Sequence, residues 1–446
     1  MELNLTEGSI LKKLTKLALP IMATSFFQMA YNMTDMMWLG RVGSSVVAAV
    51  GVAGFFIWFA NAIVMMTKVG AEVTVSQSIG AKNKKKAFEY IISSLFLAFV
   101  LGVFYSVFLY FFANDLISIF QFEDKSIFSM SVNYLRIISF GILFTFLNPT
   151  FSGVYNGLGN SKIPFLVNGI GLIVNMILDP ILILNFNFRE TGAAIATVFS
   201  QLIVLIVFLI DFKKFKESLV FKFNLSNFKK IIKIGFPITL NSSLFATFSM
   251  IISTMISKYG ALPVAVQSVG AKIESVSWMT ASGFSTALGT FTGQNYGAGK
   301  INRIKKGYLS TITLSFIVGL SATFAFMFFG KQIFSFFIPE QSAIDLGFKY
   351  LKILAISQVF MTLEISTQGA FNGFGKTIPP TVVSILFTGL RIPFGVLLAE
   401  YITKDVTGFW WSISISSILK GVVLTTWFVL FFSSKYNKNI FNSEKI

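Results

Sequence analysis

Between Val167 and Phe186 the chain reads VNGIGLIVNMILDPILILNF, a stretch long enough to cross a bilayer in which Asp179 is the one ionisable residue. A carboxylate at membrane depth costs about 3 kcal/mol on insertion scales and is normally turned away from lipid, toward a partner or a pathway. Asn175 lies one helical turn earlier on the same face. Pro180 removes a helical hydrogen bond and loosens the carbonyls of the preceding turn. A carboxylate, an amide and freed carbonyls within one turn suit a proton or a small hard cation. The plainer alternative is a kinked packing helix whose Asp pairs with an arginine. Asp35, in YNMTDMMWLG near the end of the first apolar segment, is a second carboxylate, and Thr197 follows Glu190 in the sixth. Counted from the same-side ends, Asp35 is about four residues deep and Asp179 and Thr197 about seven; at ~1.5 Å per residue all three share one half of the membrane. The alternative for Asp35 is a solvated interfacial residue. Two neighbouring carboxylates in a low-dielectric setting repel, so the pair is expected to hold a proton or a shared cation.

Other buried charges are candidates for substrate or a second ion. Glu364 is deep in the tenth segment without a nearby cation in sequence. Lys272 and Glu274, two apart in the eighth, cannot face each other squarely and need partners elsewhere. Asn156 is a weaker addition, since it can also cap the fourth helix. Arg391, before Pro393, is expected to neutralise Glu364 or Glu274 as a structural partner. Lys68 and Glu72, four apart, read as a snorkelling lysine with an intrahelical ion pair. Cysteine and histidine are absent, which excludes disulfides, thiolate chemistry and imidazole relays. GAFNGFGKT imitates a phosphate-binding loop, but Ala370 stands where the first Gly is required and no strand precedes it. No enzyme activity, cofactor or metal is expected beyond a coupling ion, H+ or Na+.

The elements that must position these residues are transmembrane helices. Of 446 residues 54% are hydrophobic and 12% charged, and mean hydropathy is +0.74. These values exclude a disordered chain and an ordinary soluble enzyme. Twelve spans are predicted, near 14–39, 47–78, 87–113, 128–153, 163–186, 191–211, 230–257, 263–290, 306–330, 346–371, 377–400 and 407–433. One set of tails and loops carries most of the lysines, from Lys12, Lys84, Lys162, Lys213, Lys230, Lys300 and Lys376 to Lys435, Lys438 and Lys445. The opposite set holds most exposed acids, including Asp115, Glu123, Asp124, Glu340 and Asp405. This positive-inside pattern predicts both termini in the cytoplasm of a multi-pass plasma-membrane protein of the bacterial inner-membrane type. The net charge of +17 is then a topology signal that also attracts membrane lipids, with no nucleic-acid partner.

The chain also repeats itself. ILKKLTKLALPIMATSFFQM (10–29) matches NFKKIIKIGFPITLNSSLFA (227–246), placing Pro20 on Pro237. VSQSIGAKNKKKAF (75–88) matches TGQNYGAGKINRIK (292–305), and GVYNGLGNSKIP (153–164) matches GAFNGFGKTIPP (369–380). The shared offset of about 217 residues gives two halves of six spans with the same orientation, related by a pseudo-twofold along the membrane normal. The expected organisation is an N-lobe over 1–212, a cytoplasmic linker over 213–229 and a C-lobe over 230–446. The fold class is all-α: twelve transmembrane helices in two pseudo-symmetric six-helix lobes around a central cleft.

With LALPIMATSFFQMAYNMTDMMWLGRVG, SQSIGAKN, GQNYGAG, YNGLGNSKIP and FNGFGKTIPP, essentially the whole chain resembles the multidrug and toxic compound extrusion (MATE) family. The resemblance implies a twelve-helix antiporter exporting organic cations and drugs against inward proton or sodium flow. In the branch with its acidic site in the N-terminal lobe, the matching residues are Asp35, Asn175, Asp179 and Thr197, which the resemblance makes ion-coupling and a possible sodium site; neutralising the carboxylates is expected to let the helices bend at Pro180 or repack. The sequence departs from another branch, because the seventh span has no acid and Glu364 is not quite in register with that branch's C-lobe Asp. The implied partners are amphipathic or cationic small molecules, and the protein is expected to be monomeric. The competing function is a lipid-linked oligosaccharide or lipid flippase of similar architecture, expected to line its cleft with several cations. A prenyltransferase would need clustered acids of the DDxxD kind, whereas the one adjacent acidic pair, Glu123 and Asp124, falls in a loop. A channel lacks a ring of selectivity residues.

Overall fold

The computed structural model describes residues 3–122, 124–218 and 224–434. Glu123, residues 219–223 of the linker, and the tail with Lys435, Lys438 and Lys445 lie outside the described residues. Among the described residues the chain is helical throughout, with no strand. The first half contains α1 (Ile10–Val42), α2 (Ser44–Gly80), α3 (Lys84–Ser118), α4 (Lys125–Gly157), α5 (Lys162–Pro180) and α6 (Arg189–Phe212). The second contains α7 (Leu225–Ser257), α8 (Ala261–Gly297), α9 (Ile301–Ser335), α10 (Gln341–Ala355), α11 (Gln358–Gly373), α12 (Ile378–Leu397) and α13 (Thr407–Phe432). One π-helical turn, Ile181–Asn185, follows α5 and another, Leu398–Ile402, follows α12.

Local chemistry sets the ends of these helices. Asn83 Oδ1 accepts from Lys86 N at 2.9 Å and Asp124 Oδ1 from Ser126 N at 2.8 Å, capping α3 and α4. The repeated NGLG and NGFG motifs are helix stops. Gly159 (φ 82°) and Gly375 (φ 71°) sit in the left-handed region that glycine adopts freely, and their N–H groups donate to Asn156 O and Asn372 O.

The predicted segments correspond to α1–α9, the α10–α11 pair, α12 and α13. Among the described residues nine helices are individually long and apolar enough to cross a membrane, and α10 with α11 makes a tenth, bent by 52°. No Pro or Gly marks that break, which sits at Ile356 and Ser357. The chain is a multi-pass membrane protein.

Contacts divide it into two compact units. The first is built on Leu19–Thr239; the second joins Leu5–Ala18 to the chain from Leu240 onward. The lobe boundary expected in the linker is therefore crossed twice by helix ends. The first turns of α1 pack in the second unit and those of α7 in the first, with the changeovers beside the repeat-matched Pro20 and Pro237. In the first unit α4 is central, packing on α2, α3 and α6 around Phe146, Phe151, Tyr155 and Phe208. A Cβ on Gly157 would meet Glu72 O at 2.8 Å, so α2 and α4 touch backbone to backbone. In the second unit α11 takes the central place, against α8, α9 and α13, with Phe371, Phe428 and Trp410 in its cores.

Candidate functional site

In the first unit, Asn175 and Asp179 are fully buried in the last turns of α5. The Asn175 amide Nδ2 donates to Asp179 Oδ1 at 3.0 Å, the contact that residues four apart on one helical face can make. Asp35 of α1 is half-buried, and the two carboxylates are near enough to repel each other. Three acceptors, Asp35 Oδ1, Asn175 Oδ1 and Asp179 Oδ2, are shut from solvent with no hydrogen-bond partner. Among the described residues neither carboxylate forms an ion pair, so the alternative in which Asp179 finds an arginine has no partner to offer. A buried acceptor left unsatisfied costs about 1–3 kcal/mol. Buried hard oxygens without a donor, on two carboxylates that feel each other's charge, fit a proton or a small hard cation.

Thr197 of α6 is half-buried beside the Tyr31 hydroxyl, which is itself buried without a well-aligned partner. Tyr134 of α4 is buried within electrostatic reach of both carboxylates. The sequence reading passed over both tyrosines, although Tyr31 precedes Asp35 by one turn and thus shares its face. A cavity of about 110 Å³ opens beside Tyr31, lined by the amides of Gln28, Asn61, Asn148, Asn168 and Gln201. Asn148 Nδ2 donates to Gln201 O at 3.0 Å, while its Oδ1 is unpartnered. A second cavity of about 150 Å³ shares Gln28, Asn61 and Asn168 and reaches Lys68 and Asn156. Asn156 is buried there with its Oδ1 unpartnered, apart from the carboxylate pair.

Pro180 closes α5, and the π turn follows directly. The second unit has its π turn after Leu397, four residues past Pro393, so a proline directly before the turn is not required for that geometry. The turn is fixed by packing: a Cβ on Gly192 would meet Leu182 O at 2.7 Å, and Gly408 abuts Ala399 in the same way.

The other candidates belong to the second unit. Glu364 is buried and pairs with Lys420 of α13 at 3.1 Å, a partner the sequence reading did not name. Arg391 donates to Ser416 Oγ at 2.6 Å and to Ser417 Oγ at 3.0 Å, within electrostatic reach of Glu364 and Glu274. Glu274 is half-buried next to Tyr350, with Oε1 unpartnered. Lys272 is exposed and forms no ion pair among the described residues. The units thus differ in chemistry. At the repeat offset of 216–217 residues, Asp35 meets Ile251 or Ile252 and Asp179 meets Gly395 or Val396. The carboxylate pair is not duplicated.

The MatE family model matches residues 20–181 and, a second time, residues 237–397. The chain belongs to the MATE family of transporters. The double match coincides with the internal repeat. A probable multidrug resistance protein NorM of Thermotoga maritima is 28% identical over 96% of this chain and 94% of its own length. The multidrug export protein MepA of Staphylococcus aureus is 22% identical over 93% and 92%. Among solved structures, a MATE transporter in the straight conformation superposes with a TM-score of 0.90 at 23% identity, covering 96% of this chain and 98% of that one. A MOP-superfamily transporter from Pyrococcus furiosus gives 0.90 at 24%, covering 96% and 97%. At these identities the structures share the fold with this MATE protein.

Proposed function

We propose that the protein is a secondary active multidrug efflux antiporter, exporting organic cations and other amphipathic drugs in exchange for protons or sodium ions. Membership in a transporter family and the printed names of the relatives, multidrug resistance and multidrug export proteins, support the substrate class. The observation that carries the coupling is the set of three buried, partnerless oxygens on Asp35, Asn175 and Asp179. A proton or Na+ neutralises the pair, with Thr197 and Tyr31 as flanking hydroxyls. Removal of the mutual repulsion lets α1 and α5 repack, bending at Pro180 and the π turn after it. Alternating access by rocking then turns that local change into release of the drug.

The test is dye efflux in inverted vesicles under a proton gradient or a sodium gradient imposed separately, with wild type and Asp179→Asn side by side. Efflux under one gradient that the substitution abolishes is the expected result. Undiminished efflux in Asp179→Asn would move the coupling site elsewhere, and absence of gradient-driven efflux of any cationic dye would favour a flippase.

A further inference from the structure

The first unit carries a third polar cavity, of about 490 Å³, at the ends of α1, α2, α4 and α6 remote from the N-terminus. Two guanidiniums line it, Arg41 at the end of α1 and Arg189 at the start of α6, with Ser45, Ser126 and Asn187 between them. Both arginines are exposed, and neither forms an ion pair among the described residues. Arg41 lies over the Trp38 ring at 4.5 Å, a contact that holds the guanidinium without neutralising it. Asp124 caps α4 through Ser126 N, and Glu190 is buried and does not line the cavity. Gly43 gives α2 no side-chain cap, so the first amides of a 37-residue helix stand at the cavity wall beside Ser45.

One flank of the cavity is apolar. Leu184 lines it, and Phe186 and Phe188 follow on the same connection, stacked at 5.8 Å and exposed. Two unpaired guanidiniums recognise a planar or tetrahedral oxyanion. A soluble anion would have no use for the adjoining aromatic ledge, whereas a phospholipid offers both halves. We propose that this cavity binds the phosphate of a membrane phospholipid, its acyl chains lying along Leu184, Phe186 and Phe188. The residues belong to the connections that join α1 to α2, lead into α4 and join α5 to α6. A lipid seated there would couple bilayer composition to the helices bearing Asp35, Asp179 and Thr197. The binding itself is independent of what the protein transports.

The experiment uses the full chain purified in nonionic detergent, with native mass spectrometry counting bound dioctanoylphosphatidylglycerol. The comparison ligands are dioctanoylglycerol, which lacks the phosphate, and glycerol 3-phosphate, which lacks the chains. The variants are Arg41→Gln with Arg189→Asn, and separately Ser45→Glu. Asparagine suits the positive φ of 49° at position 189, and an acid in the first turn of α2 favours the helix while repelling phosphate. The expected result is saturable binding of the phosphatidylglycerol that weakens about tenfold or more in both variants, the scale of losing one charge-assisted hydrogen bond. Both comparison ligands should bind at least as much more weakly to the wild type. Unchanged lipid binding in the well-folded Ser45→Glu protein would overturn the proposal. Glycerol 3-phosphate binding as tightly as the lipid would overturn it too, leaving a soluble-anion site.

Discussion

Asp179 and Glu364 are both buried acids, yet they are satisfied in opposite ways. Asp179 takes one hydrogen bond from Asn175 and keeps a bare oxygen, whereas Glu364 is closed by Lys420 and flanked by Arg391. Breaking a buried ion pair from one side costs about 3–5 kcal/mol, while replacing both partners is close to neutral. Lys420→Met should therefore lower the thermal midpoint sharply in detergent, and Lys420→Met with Glu364→Gln should recover most of the loss. A double variant as unstable as the single one would show that Glu364 is not held by this pair. The Asn175–Asp179 contact was legible in the sequence because it is local, four residues along one helix. The Glu364–Lys420 pair was not, since its members lie on different helices and nothing in their spacing brings them together.

The residues proposed to hold the ion depend on how α5 ends and α6 begins. The π turn Ile181–Asn185 is seated on Gly192, where a side chain would meet Leu182 O. Gly192→Val should push α6 away from the turn, shift Thr197 relative to Asp179, and cut gradient-driven efflux by about tenfold or more, the scale of a small misplacement at a reacting centre. Gly40→Ala, where an added Cβ meets nothing within 4 Å, is the matched control and should transport normally. Equal activity in the two variants, measured in the same vesicles, would contradict the packing account. Helix count and extent were readable because long apolar stretches need little context. The break between α10 and α11 was hidden, since no Pro or Gly punctuates AISQ, and the π turn of the second unit lacks a proline directly before it, such as Pro180 in the first.

At the scale of the whole molecule, one sequence repeat has been given two chemistries. The framework recurs: glycine helix stops, close-packed helix pairs and a π turn at the same place in each unit. The carboxylate pair occurs once, with aliphatic residues or glycine at its repeat positions. Two units that share a frame but differ in charge suit a transporter in which one unit senses the ion. What the repeat could not reveal is that the ends of α1 and α7 belong to the opposite units, because a contact boundary need not follow the linker. If ion and substrate compete energetically through Asp179, as proposed, linkage requires the effect to be reciprocal. The direct measurement is equilibrium binding of a cationic dye to the purified protein, titrated with Na+ at fixed pH and with H+ at fixed Na+. The wild type should lose about tenfold or more in dye affinity as one of the two ions rises, a coupling in the usual range. In Asp179→Asn that dependence should vanish. A dye affinity that responds to the ion equally in wild type and Asp179→Asn would contradict the account.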